Sequence, residues 1–110
     1  MLLAIAYSAI YDGDSTLSKL KLAGENGDVE AQYALGLMYY YGEHVEVDFY
    51  QARVWYEKAA SQNDAQAQFD LGVMNERGEG GGINTEQART WFGLACKNGH
   101  KEGCERYENN

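Results

Sequence analysis

Proline is absent from this chain of 110 residues, and cysteine, histidine and tryptophan occur only twice each. Without proline no helix is broken from within, and the turning falls to 13 glycines, which enter left-handed backbone at little cost. Cations are also scarce. Nine Lys+Arg stand against 17 Asp+Glu, a net charge of -8 and a pI of about 4.6. Nucleic-acid binding needs clustered cations to neutralise phosphates, so no nucleic-acid partner is expected. Attraction to an anionic membrane surface is disfavoured for the same reason. Nor does any apolar run approach the ~20 residues that span a bilayer, so no membrane insertion is expected. Hydrophobic residues at 45% and charged residues at 24% are ordinary globular values. The length has room for one compact domain or a short repeat array.

Catalytic signals are equally thin. No Ser/His/Asp set, phosphate-cradling loop or paired-carboxylate motif stands out. Ser18 and Lys21 have the Ser-x-x-Lys spacing of penicillin-recognising enzymes, but the companion motifs of that class are missing. Gly78-x-Gly80-Gly81-Gly82 follows a helical stretch rather than a strand and lacks the phosphate-loop lysine, so it reads as a flexible inter-helix loop. No cofactor and no metal are expected.

What the chain does have is an internal repeat. Shifted by 36 residues, 28–63 match 64–99 at 13 of 36 positions without a gap. Ala31 falls on Ala67, Gln32 on Gln68, Leu35 on Leu71, Gly36 on Gly72, Met38 on Met74, Gly42 on Gly78, Ala52 on Ala88, Arg53 on Arg89, Trp55 on Trp91 and Ala59 on Ala95. Tyr56 pairs conservatively with Phe92. A period in this range marks a solenoid of stacked supersecondary units. Each unit reads as two helices. Ala31, Leu35, Met38 and Tyr39 recur at helical spacing, as do Ala52, Trp55, Tyr56 and Ala59. Gly42 and Gly78 sit where a left-handed C-cap is wanted, Asp48 and Asn84 where the second helix needs an N-cap, and Asn63 and Gly99 close that helix. Gly36 costs about 1 kcal/mol inside a helix relative to alanine, so its recurrence points to a bulky side chain, a tryptophan, packed over it.

The pattern Ala31, Leu35, Gly36, Tyr39, Gly42, Val45, Asp48, Ala52, Trp55, Tyr56, Ala59, Ala60 resembles the Sel-1-like repeat (SLR) family. The resemblance covers two full repeats and extends by flanking half repeats over most of the chain. The fold it implies is all-α, an α/α solenoid of antiparallel helical hairpins related to the tetratricopeptide repeats. The second copy departs from it at Asn75, in place of tyrosine, and at Gly81, in place of valine. The expected organisation is a single solenoid domain over 1–110: a partial repeat or cap over 1–27, repeats over 28–63 and 64–99, and a capping helix over 100–110. Within the cap, residues 16–24 form a second helix opened by Asp14 or Ser15. Met1–Tyr11 reads as a shortened opening helix; the remnant of a signal-peptide apolar region is the alternative, though a basic start is lacking.

Cys96 and Cys104 flank a short turn. Their residues alone leave open a bridge, two reduced packing cysteines, or a zinc site with His100, which would supply three ligands where structural zinc takes four. The resemblance to the cysteine-rich, exported members of the family implies a disulfide between them, and with it an oxidising compartment, periplasmic or exported; the cytoplasm is the alternative.

The resemblance also implies a non-catalytic protein-interaction role, with the first helix of each hairpin lining a concave face. Tetratricopeptide geometry places Glu30, Tyr33, Leu37, Tyr40 and Tyr41, and their equivalents Gln66, Phe69, Val73, Glu76 and Arg77, on that partner-binding face. Aromatic and Arg side chains dominate interface hot spots. The acidic balance favours a basic or polar segment of a protein or peptide partner. An adaptor is the leading expectation and an immunity protein neutralising a cognate bacterial toxin the alternative. An enzyme acting on β-lactams or cell-wall material stands behind both. Exposed solenoid ends would allow weak self-association.

Overall fold

The computed structural model describes residues 16–109, and six helices run through them: α1 (16–25), α2 (Val29–Tyr41), α3 (Phe49–Ala60), α4 (Ala65–Arg77), α5 (Thr85–Lys97) and α6 (Lys101–Asn109). Each helix packs on the next in sequence, α2 on α3, α3 on α4, α4 on α5 and α5 on α6, the connectivity of an α/α solenoid. The expected opening helix over Met1–Tyr11 and the Asp14 or Ser15 cap lie outside the described residues.

Helix starts and stops follow the local chemistry. Asp48 and Asn84 accept from the backbone N–H groups of Gln51 and Gln87 at 3.0 and 2.9 Å. Asp28 and Asp64 do the same for α2 and α4, accepting from Ala31 and Ala67 at 3.1 and 2.9 Å. Each such cap contributes about 1 kcal/mol. Gly42 and Gly78 take left-handed φ of 76° and 72° and donate to the carbonyls of Met38 and Met74. Asn63, also left-handed at 67°, ends α3.

The repeated glycines mark the closest approach within each hairpin. A Cβ on Gly36 would lie 2.3 Å from Tyr56 Cδ1, and one on Gly72 would lie 2.5 Å from Phe92 Cε1. The covering ring is therefore not the expected tryptophan but its neighbour. Successive helical residues are rotated by about 100°, so one of the two rings faces its own hairpin and the other leaves it. Trp55 instead reaches back to the preceding element, where a Cβ on Gly24 would lie 2.8 Å from its ring, and it packs there with Leu35 and Met38.

Two buried glutamines join the repeats. Gln32 Nε2 donates to the Gly24 carbonyl at 2.9 Å, and Gln68 Nε2 to the Ala60 carbonyl at 3.0 Å. Their amide oxygens accept from Gln62 at 2.8 Å and Asn98 at 2.9 Å. The matching of Gln32 with Gln68 thus records a polar rung, satisfied as a buried amide must be.

Cys96 and Cys104 form a disulfide, with Cα atoms 4.4 Å apart. It joins the last turn of α5 to α6.

Candidate functional site

A cavity of about 350 Å³ opens between α2, α4 and α6. Helical spacing puts one face of each first helix into it. Tyr33, Leu37, Tyr40 and Tyr41 contribute from α2, and Gln66, Phe69, Val73 and Arg77 from α4. Two sequence-predicted positions do not line it. Glu30 is exposed on the first turn of α2, and Glu76 is ion-paired with Arg106 at 2.7 Å. The sequence reading missed four lining residues, Tyr56, Asp70, Glu102 and Arg106.

The tyrosine run divides by direction. Tyr41 is 66% exposed and Tyr40 half-buried, their rings meeting edge to face at 4.9 Å. Tyr39 packs with the apolar cluster of Leu35, Met38 and Trp55. The Lys21 ammonium lies 5.9 Å from the Tyr39 ring centre, and Ser18 is exposed. Phe69 is buried and floors the cavity, stacked on His100 at 4.4 Å, with the Arg106 guanidinium 5.6 Å from its centre.

A hydrogen-bond chain runs across the floor. Gly103 N–H donates to His100 Nδ1 at 3.0 Å, so that nitrogen is unprotonated and the proton sits on Nε2. Nε2 then donates to Gln66 Oε1 at 3.1 Å. Gln66 Nε2 donates to Asp70 Oδ1 at 3.0 Å, and Tyr33 Oη donates to Asp70 Oδ2 at 2.8 Å. At the rim, Tyr40 Oη donates to the Glu79 carboxylate at 2.9 Å. Burial, reinforced by the Asp70 charge, holds the Tyr33 phenol protonated well above its ordinary range. Burial, with the Glu79 contact second, raises Tyr40 likewise. The floor is thus fixed as a set of oriented donors and acceptors, and the rim supplies aromatic surface.

Asp70 is the strained member. Burial raises its carboxyl above the ordinary range, and the hydrogen bonds from Tyr33 and Gln66 offset only part of that. The folded state therefore takes up the proton at higher pH than the unfolded chain. The stability tied to this group is fully present below the unfolded pKa and is lost as pH rises through the folded one. Urea unfolding of the protein and of Asp70→Asn should show wild-type stability falling relative to the variant as pH rises above the ordinary carboxylate range. A difference that is flat or grows with pH would contradict this account.

The Sel1 repeat family model matches residues 29–64 and 65–100. Comparison with curated proteins gives no match. Among solved structures, the chain is similar to a Sel1 repeat protein from Oxalobacter formigenes, with 32% identity and a TM-score of 0.83 over 88% of this chain and 73% of that one. It is similar to cysteine rich protein B of Helicobacter pylori, with 29% identity and a TM-score of 0.79 over 84% of this chain and 69% of that one. It also resembles a protective antigen present in uropathogenic Escherichia coli strains that displays an SLR fold, with 42% identity and a TM-score of 0.74 over 76% of this chain. The chain spans 18% of that antigen's length.

Proposed function

Because the chain belongs to the Sel1 repeat family, whose repeats are in general protein-interaction modules, we propose that it is a non-catalytic binder that takes a partner polypeptide in the groove between α2, α4 and α6. The observation that carries this reading is the convergence of Tyr33, Tyr40 and Tyr41 on one cavity above a floor of oriented polar groups. Tyrosine offers large contact area at low conformational cost, the property that makes it an interface anchor. Acidic groups at the site, Asp70, Glu79 and Glu102, favour a partner segment carrying basic or polar residues. Glu76 already holds Arg106, so among the described residues Arg77 at the rim, 3.4 Å from Tyr40 Oη, is the one cation set against these three carboxylates at the site. The disulfide fits a protein that works in an oxidising compartment.

The test is a pair of truncations. With the partner captured from host extract and purified, Tyr33→Ala/Tyr40→Ala should weaken its affinity by at least about tenfold, the scale of one hot-spot contact. Circular dichroism should show unchanged helicity. Full affinity in the double variant would put the binding surface elsewhere. The identity of the partner separates adaptor from immunity protein.

A further inference from the structure

The second helices build a separate cavity. It has a volume of about 470 Å³ and lies against Arg53 and Glu57 of α3 and Gln87 and Trp91 of α5, with Ile83 and Asn84 from the loop before α5. Its central group is Arg53. Nη2 donates to the Oδ1 of buried Asn75. Nε is buried without a hydrogen-bond partner among the described residues. Glu57 lines the same cavity one helical turn away, yet no ion pair joins it to Arg53. The side chain is thus half-buried, its Nε shielded and its Nη2 held by a neutral acceptor, with no ion pair to it among the described residues. A partly shielded cation of this kind gains more from an anion than a fully hydrated one does.

The repeat shows that this space is specific to the second copy. At the positions of Asn75 and Gly81 the first copy carries Tyr39 and Val45. A Cβ on Gly81 would lie 2.7 Å from Arg53 Nη1. The two departures from the family pattern are therefore the two substitutions that admit the guanidinium, one supplying its acceptor and the other its clearance. One repeat earlier, Leu17 occupies the position equivalent to Arg53, and it packs with Tyr39 on an apolar cluster. An ordinary apolar seam between repeats has been replaced by an arginine facing a cavity.

We propose that this cavity is a carboxylate-binding site that receives the C-terminal residue of a polypeptide. Arg53 holds the carboxylate. Asn84 spends its Oδ1 on capping α5, which leaves its amide nitrogen to donate to the ligand, and Gln87 adds a second amide. Ile83 and Trp91 form the apolar wall against which the terminal side chain lies. Glu57 accepts from the ligand's peptide N–H and disfavours a second acidic group nearby.

The test uses the oxidised full chain labelled with nitrogen-15. The probes are N-acetyl-leucine, its C-terminal amide, and N-acetyl-aspartate with the α-carboxylate converted to an amide. The Trp91 indole and the Asn84 and Gln87 side-chain amides report binding. N-acetyl-leucine should give saturable shifts in these signals, and the amide should bind at least about tenfold more weakly, as expected for loss of a charge-assisted contact. Arg53→Gln should abolish the response. Where that variant fails to fold, Gly81→Val decides: it restores the residue of the first repeat, fills the clearance and should abolish binding with helicity retained. Equal response to acid and amide, a response that survives Gly81→Val, or no response at millimolar probe would overturn the site. Preference for the aspartate side-chain carboxylate would overturn its assignment to a chain terminus.

Discussion

Phe92→Ala is expected to cost about 3–5 kcal/mol of folding stability, the usual range for deleting a fully enclosed aromatic ring. Phe92 is 0% exposed, sits 5.5 Å from the Phe69 ring and lies beneath the Arg106 guanidinium at 5.4 Å. Its ring rests on the bare backbone of Gly72, which has no side chain to fill the vacated space. A domain of this size holds only about 5–15 kcal/mol in total, so urea denaturation should show a large fall in midpoint. The converse substitution tests the same contact. Gly72→Ala gains about 1 kcal/mol of helix propensity. It also drives a methyl group into the Phe92 ring, and overpacking costs about 1–3 kcal/mol. The net should be destabilising. Combining it with Phe92→Leu should cost less than the two single changes together, by roughly 0.5–3 kcal/mol of coupling. Strict additivity would mean that the glycine and the ring are not matched to one another.

That contact also shows what was legible in the sequence. The hairpins, their caps and their period are set by residues within a few positions of one another, and Gly42, Asp48, Gly78 and Asn84 do what their types and spacing imply. The tight approach at Gly36 and Gly72 was legible too. Which ring closes it was not, because Trp55 and Tyr56 are adjacent in the chain but face different neighbours. The groove follows the same division. Its α2 and α4 face is a helical stripe that can be read from spacing. Arg106 and Glu102 arrive only because α6 folds back, and Asp70 hides between apolar positions as an ordinary surface carboxylate would. Gly80 and Gly81 read as part of a flexible inter-helix loop, and Asn75 as a bare departure from the repeat. Each lies against a long-range neighbour: a Cβ on Gly80 would meet the Phe49 carbonyl at 2.6 Å, and Gly81 and Asn75 together accommodate Arg53. A long-range partner gives a departure from the repeat its meaning, and no local pattern contains that partner.

The disulfide is where fold and groove are coupled most directly. Helix α6 has nine residues, of which only Gly103 is buried, and a helix so short is marginal on its own in water. Gly103 lets it approach α5 closely, since a Cβ there would lie 2.9 Å from Ala95 Cβ. The remaining attachments are a few side-chain contacts, most of them partly exposed: the His100 cap and its stack on Phe69, the Arg106–Glu76 pair with its guanidinium over Phe69 and Phe92, and the Tyr107 ring against Gly93 with Arg89 4.1 Å from its centre. Exposed ion pairs contribute little, of order 0–1 kcal/mol. Opening the short Cys96–Cys104 loop should remove about 2–3 kcal/mol on the chain-entropy account, a large share of what can hold so short a helix. Reduction, or Cys96→Ser/Cys104→Ser, should therefore release α6 before the rest unfolds. Amide exchange over 101–109 should accelerate while α2–α4 stay protected. Arg106 and Glu102 leave with that helix, and His100 no longer holds Gln66, so one wall of the groove is lost and its floor loosens. Partner affinity should fall under reducing conditions with α2 and α4 still folded. Unchanged exchange in α6 after reduction would show that the polar contacts suffice, and would uncouple the disulfide from binding.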